Sequence, residues 1–328
     1  MRTQLLRLSG PLAAALVYFL LHGIGTAPAA MAAIVAWMAI WWITEVVPLA
    51  VTSLLPLVLF PLFGIDSVAG TATNYGKEII YLFLGGFLLA LAMERSGLHR
   101  RIALRVVDRV GGTGPQLIAG IMVATALLSM WMNSTSCVMV MLPIALSLLD
   151  GDGDPELRRK LTVPLLLAVS YSATIGGMAT PVGTPPNLVF LELWRTRYPD
   201  QATIGLGQWM SFGVPLMVIY LVIAWLLLTR VFFRVPRQHL SSPAEVYERR
   251  KALGPIGSAE RIAAIVFTVT AMLWITGDDI PFSDGFILQG WRSLTGCTGF
   301  TDGAVAIAGA LLLFVIPIPK SLAEPATP

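Results

Sequence analysis

The sequence predicts an all-α polytopic membrane protein. Three observations predict it. Of 328 residues, 56% are hydrophobic and only 12% charged, with a mean hydropathy of +0.76. A soluble domain carries about 25% charged residues, so water is a poor solvent for this surface. Apolar stretches long enough for membrane helices recur along the chain. The lysines and arginines cluster so that one set of crossings collects most of them on a single face.

The spans follow in order. Pro11–Gly25 reads as a retained first transmembrane helix. Arg2 and Arg7 before it, and small residues after it, also fit a cleaved signal peptide, but further spans follow at once. Next come Ala29–Thr44, Pro48–Gly64 and Glu78–Glu94, then Gln208–Phe233, Glu260–Thr276 and Thr301–Pro317. Two other apolar blocks are too long for one helix and carry breakers. Pro115–Leu149 contains Asn133-Ser134-Thr135-Ser136 near its midpoint. Leu161–Leu193 is interrupted by Gly176-Gly177 and by the run from Thr180 to Asn187, which holds Pro181, Gly183, Pro185 and Pro186.

Charge counting sets the topology. With the N-terminus cytoplasmic and four alternating crossings, the five arginines of Arg95–Arg109 lie inside. A single crossing by Pro115–Leu149 would put the next two basic clusters outside. A re-entrant hairpin, about 115–149, returns them inside and places 18 of the 22 positive residues on the cytoplasmic face. Only Lys77, Arg195, Arg197 and Arg292 remain outside, beside the acidic loop of Asp278, Asp279 and Asp284. The broken helix, about 161–193, then crosses outward. Arg95–Arg109 and Ser242–Lys251 read as amphipathic helices at the cytoplasmic headgroups. Glu45 is expected at the cytoplasmic interface, and Gly85-Gly86 at a close helix contact.

Ala32-Ala33-Ile34-Val35, Trp42-Ile43-Thr44 and Pro48 have counterparts in Ala263-Ala264-Ile265-Val266, Trp274-Ile275-Thr276 and Pro281. The copies run in opposite directions in this topology. That is an inverted repeat, frequent in secondary transporters. The implied organisation is an N-terminal transmembrane helix (1–28), a first repeat (29–233), a cytoplasmic amphipathic connection (234–259) and the start of a second repeat (260–328). The second repeat is expected to be truncated, with two of its helices present.

Other classes find little support. Cys137 and Cys297 provide neither a disulfide framework nor metal-ligand spacing, and His22, His99 and His239 are scattered singly. HExxH and GxSxG motifs are absent, so an enzyme is not expected, nor an organic cofactor or a nucleic-acid partner. The two breaks carry the chemistry. Irregular backbone at membrane depth must be buried in protein or line a wet cavity. Opened turns offer carbonyl oxygens to a hard cation such as Na+, and half-helix N-termini suit an anion. No Lys or Arg lies between Gly111 and Asp150 or between Leu161 and Glu192. Helix packing alone is the simpler reading of the triplet, and a purely structural kink that of Gly183–Asn187.

Several stretches resemble the divalent anion:sodium symporter family. They are Trp41-Trp42-Ile43-Thr44-Glu45-Val46-Val47-Pro48, Phe83-Leu84-Gly85-Gly86-Phe87, Ser129-Met130-Trp131, Met141-Leu142-Pro143-Ile144, Ile175-Gly176-Gly177-Met178-Ala179-Thr180 and Gly183-Thr184-Pro185-Pro186-Asn187. The resemblance implies sodium-coupled transport of a small divalent anion (a dicarboxylate, citrate or sulfate) by a homodimer with an elevator-like motion. It implies a cytoplasmic (inner) membrane location. It implies a sodium site at Ser129, Asn133, Ser134 and the Gly183 carbonyl, with substrate met by Ser134, Thr135, Thr184, Pro185 and Asn187. Na+ would be the coupling ion. The triplet here is Asn-Ser-Thr where the family has Ser-Asn-Thr, and no second triplet follows. The alternative is a non-transporting membrane remnant or a fragment that associates with a partner chain.

The topology is testable. Arg159→Cys is expected to react with a membrane-impermeant maleimide from the cytoplasmic side. Labelling from the outer side would exclude a re-entrant Pro115–Leu149.

Overall fold

The computed structural model describes residues 2–110, 112–150, 155–201, 203–238, 248, 250–281 and 287–317. The predicted all-α architecture is observed. Among the described residues, five helices are long and apolar enough to cross a membrane: Leu5–Ile24, Thr26–Thr44, Val68–Arg95, Leu206–Phe232 and Ser258–Ile275. The only strands among the described residues form a short antiparallel pair, with Ile280 opposite Leu288 and Pro281 opposite Ile287. The chain packs as two compact units, 1–80 and 81–328.

In the first unit, α1 (Arg2–Leu21) packs along α2 (Thr26–Thr44). The helix starts nine residues before the expected Pro11. Pro11 has no N–H for the Arg7 carbonyl, which would orphan that oxygen. Trp41 Nε1 donates to it instead, at 3.1 Å. Helix α2 ends at Glu45, which holds a left-handed φ of +47°. The expected span Pro48–Gly64 is two short pieces, α3 (Leu49–Thr52) and α4 (Leu55–Leu62). Pro56 explains the division, because it cannot donate to the Thr52 carbonyl and its ring crowds that turn. A further helix, α5 (Val68–Tyr75), is capped by Ser67, whose hydroxyl accepts from Gly70 N at 2.9 Å.

The second unit begins within α6 (Glu78–Arg95) and continues through α7 (Leu98–Val110), α8 (Gly114–Ser129), α9 (Ser134–Asp150) and α10 (Pro155–Gly177). Helix α8 packs on both α7 and α10, and α9 also lies against α10. Leu104, Ile118, Ile121, Met141, Leu165 and Val169 form the centre of this core. Helix α11 (Pro185–Arg197) follows the expected break, and α12 (Leu206–Leu226) continues into a π-helical turn at Leu227–Phe232. Helix α13 (Ser258–Ile275) packs against α15 (Asp302–Val315), and a short α14 (Trp291–Thr295) lies between them in sequence. Gly85 makes the expected close contact. A Cβ there would lie 2.5 Å from the backbone of Ala306 on α15.

One feature departs from the surface-helix expectation, and a second buried arginine lies outside it. Arg101 on α7 is buried, 5% exposed, although the helix reads as an interfacial one. Its Nε and Nη2 donate to the two carboxylate oxygens of Glu260, each at 2.9 Å. The remaining donors reach the carbonyls of Leu253, Gly254 and Pro255. Arg292 is likewise enclosed, with Asp278 Oδ1 at 2.7 Å, Asp302 Oδ1 at 2.5 Å and the Phe300 carbonyl at 2.8 Å. Burial opposes its charge, but the hydrogen bond and field of Asp302, with those of Asp278, outweigh burial and raise its pKa above the ordinary value. The expected amphipathic stretch Ser242–Lys251 lies largely outside the described residues, as do Asp284, Lys320 and His239.

Breaking a buried ion pair by removing one partner costs about 3–5 kcal/mol. Arg101→Ala is therefore expected to lower the thermal midpoint of the detergent-solubilised chain sharply. Arg101→Lys should recover little, since an ammonium cannot reproduce the two-pronged contact to Glu260.

Candidate functional site

The site forms where the turn between α8 and α9 meets the break between α10 and α11. Residues Met130–Asn133 make the turn, at the expected midpoint of Pro115–Leu149. Asn133 closes it, because its Oδ1 accepts from Thr135 N at 2.9 Å. Ser134, Thr135 and Ser136 therefore occupy the first turn of α9 rather than a loop. In the break, Pro181–Gly183 form one 3-10 turn and Thr184 precedes α11 in extended conformation.

Glycine sets the separation of the two elements. A Cβ on Gly176 would lie 2.5 Å from the Ala126 carbonyl oxygen, and one on Gly183 would lie 2.6 Å from the Gly177 oxygen and 2.9 Å from the Ser129 oxygen. Real Cβ atoms do not approach that closely, so only glycine allows α8 and the two sides of the break to meet.

This approach brings Ser129, Ser134 and Gly183 together. The Ser129 and Ser134 hydroxyls lie 3.3 Å apart, and each donates to the Ala173 carbonyl, at 2.5 and 3.1 Å. Donation uses their protons and leaves oxygen lone pairs for a cation. The Gly183 carbonyl oxygen and Ser134 Oγ both crowd the same face of Gly177, 3.3 and 3.0 Å from the position of an added Cβ. Thr180 is fully buried and braces the break, with its hydroxyl donating to the Met130 carbonyl and accepting from Gly183 N at 3.1 Å. Asn187 uses both amide protons, on the carbonyls of Gly177 (3.0 Å) and Thr180 (2.8 Å).

The other expected residues sit nearby in different roles. Asn133 lines a cavity of about 370 Å³ with Phe87, Ala90, Leu91, Glu94, Met132 and Ser136. Thr135 is exposed at the start of α9, which leaves its hydroxyl accessible. Thr184 and Pro185 open α11, but Pro185 and Pro186 carry no N–H. The N-terminus of α11 thus offers fewer donors to an anion than that of α9.

Sequence reasoning missed three participants. Glu94 shares the cavity with Asn133, a proximity that follows from the packing of α6. Trp131 stacks on Trp274, 6.3 Å between centroids and 9° between planes, and meets Phe267 edge-on at 5.3 Å. Trp209 donates through Nε1 to the Met178 carbonyl at 3.0 Å, taking up an oxygen freed by the break. The position of Trp131 beside the Asn-Ser-Thr triplet was the available signal for its role.

Residues 39–319 match the model of a citrate transporter family. The chain belongs to the citrate transporter family. Membership agrees with the resemblance to divalent anion:sodium symporters. This citrate-transporter-family chain is also 36% identical over 293 residues to the sodium-dependent dicarboxylate transporter SdcS of Staphylococcus saprophyticus. The match covers 87% of this chain and 54% of that relative. Proteins of the same name from Staphylococcus aureus strains MW2 and N315 match to the same extent. The chain spans about half the length of the curated relatives it matches.

Gly183→Ala forces a Cβ against backbone and is expected to destabilise the chain by about 1–3 kcal/mol. Gly299→Ala is the control, because nothing lies within 4 Å of its added Cβ. Equal thermal midpoints for the two variants in detergent would refute the close packing of the break.

Proposed function

We propose that this chain takes part in sodium-coupled transport of a small divalent anion, a dicarboxylate, citrate or sulfate, across the cytoplasmic membrane. The observation that carries this reading is the convergence of Ser129 Oγ, Ser134 Oγ and the Gly183 region at the turn–break contact. These are neutral oxygen donors of the kind that suits Na+. The sodium site comprises Ser129, Ser134 and the Gly183 carbonyl, with Asn133 as a further ligand. The anion is met by Ser134 and Thr135 at the start of α9 and by the Thr184 hydroxyl before α11, with Pro185 and Asn187 shaping the start of that helix rather than donating to the anion. The names of the matched relatives support both sodium and a dicarboxylate as ligands.

The donor set also supports coupling. A cation held only by neutral oxygens in a medium of low dielectric carries a large desolvation cost. An anion a few ångströms away offsets that cost, and the cation does the same for the anion. Each ligand then raises the affinity of the other by the same factor. On this reading α8 and α9 form a re-entrant hairpin entered from the cytoplasm. The N-terminus is cytoplasmic, residues 29–233 form one repeat, residues 260–328 open a second of inverted orientation, and the working assembly is a homodimer.

Purified chain in proteoliposomes is expected to take up labelled succinate, citrate or sulfate when external Na+ replaces K+. Asn133→Ala should weaken sodium binding more than Ser136→Ala. Absence of both uptake and sodium-dependent substrate binding in the wild-type chain would refute the proposal.

A further inference from the structure

A second polar cavity lies away from the turn–break contact, where α12 ends against the start of α8. Its volume is about 450 Å³, and its walls include Thr113, Gln116, Trp225, Thr229, Arg230 and Arg237. Among the described residues no carboxylate lines it, and neither Arg230 nor Arg237 has an acidic partner. Two cations facing one cavity without a counter-ion select an anion.

The backbone there departs from regular helix. Helix α12 widens into the π-helical turn Leu227–Phe232, and Arg234 then adopts a left-handed φ of +42°. Val235 N returns to the Thr229 carbonyl at 2.8 Å. Such turns, and left-handed non-glycine residues, cluster at functional sites. This one puts Arg230 on the cavity wall, its guanidinium carbon 5.8 Å from the Trp225 ring centroid. Trp225 Nε1 donates to the Pro115 carbonyl at 2.9 Å, and Gly114 packs against Val235 and Pro236. An occupant would therefore touch the first turn of α8 and the end of α12 together.

The surroundings distinguish a lipid from a dissolved ion. Helix α12 is an apolar membrane span, and Val231 and Phe232 beside the arginines are 58% and 68% exposed. Tryptophan and arginine at the end of a span mark the headgroup level of a bilayer. A free phosphate would gain only the charges, whereas a phospholipid would also cover the apolar side chains. We infer that Arg230 and Arg237 hold the phosphate of an anionic phospholipid, with its acyl chains along the exposed face of α12. This site depends on residence in a bilayer and not on transport.

Native mass spectrometry of the full chain, released from nanodiscs of phosphatidylcholine doped with phosphatidylglycerol, tests the assignment. Wild type is expected to retain phosphatidylglycerol in preference to phosphatidylcholine. Arg230→Gln with Arg237→Gln should lower that retention about 30-fold, the product of two surface arginines. Arg230→Lys with Arg237→Lys keeps the charge and should keep most of the lipid. Equal retention by wild type and the double glutamine variant would overturn the site, as would equal loss in both double variants or no preference for phosphatidylglycerol. Hydrogen exchange in lipid-free detergent provides a further arm. Protection of α8's first turn by phosphatidylglycerol and not by inorganic phosphate supports the lipid, and equal protection by phosphate overturns it.

Discussion

A helix interrupted among apolar surroundings frees carbonyl and amide groups that have no water to turn to. The second unit of this chain is organised around meeting that requirement twice, at Met130–Asn133 and at Met178–Thr184. The solution is reciprocal. Thr180 of one interruption donates to Met130 of the other, and the serines flanking the turn donate to Ala173 just before the break. Trp209 takes the Met178 carbonyl from a third helix. Each interruption completes the hydrogen bonding of its neighbour, so neither is stable in this form without the other.

Charge is handled with the same economy. The buried cations lie at the ends of helices, away from the turn–break contact, and each is enclosed by carboxylates and carbonyls. Arg101 joins α7 to the start of α13 and to the segment before it. Arg292 joins the residues after α13 to the start of α15. The contact itself is left with hydroxyls, amides and backbone. A formal charge there would attract one ligand permanently, whereas neutral dipoles hold ions that must also leave.

Composition and length made the spans legible, because apolar runs of membrane length have few other uses. The positions of both interruptions were legible too. Glycine, proline and a polar triplet inside apolar blocks leave no regular helix available. Three kinds of feature were not legible. The division of Pro48–Gly64 at Ser53 required weighing Pro56 against an otherwise good span. The burial of Arg101 depended on Glu260, 159 positions away, which no local pattern announces. The cavity shared by Asn133 and Glu94 arises from the packing of α6 beside the turn. The division at Ser53 turned on a local residue, Pro56, whereas in the other two cases the missing information was a distant partner. The reach of Trp41 to the carbonyl orphaned by Pro11 is of the same kind.

The amide of Asn187 has a mechanical meaning beyond its hydrogen bonds. It sits in the first turn of α11 and grips the last carbonyl of α10 together with one from the segment between them. Thr180 fastens the same segment to the Met130 turn, and the glycine contacts leave no slack. The discontinuity is thus a splice and not a hinge. Tilting α11 would carry the end of α10 and the turn with it as one lever, with the oxygens of Ser129 and Ser134 at its fulcrum.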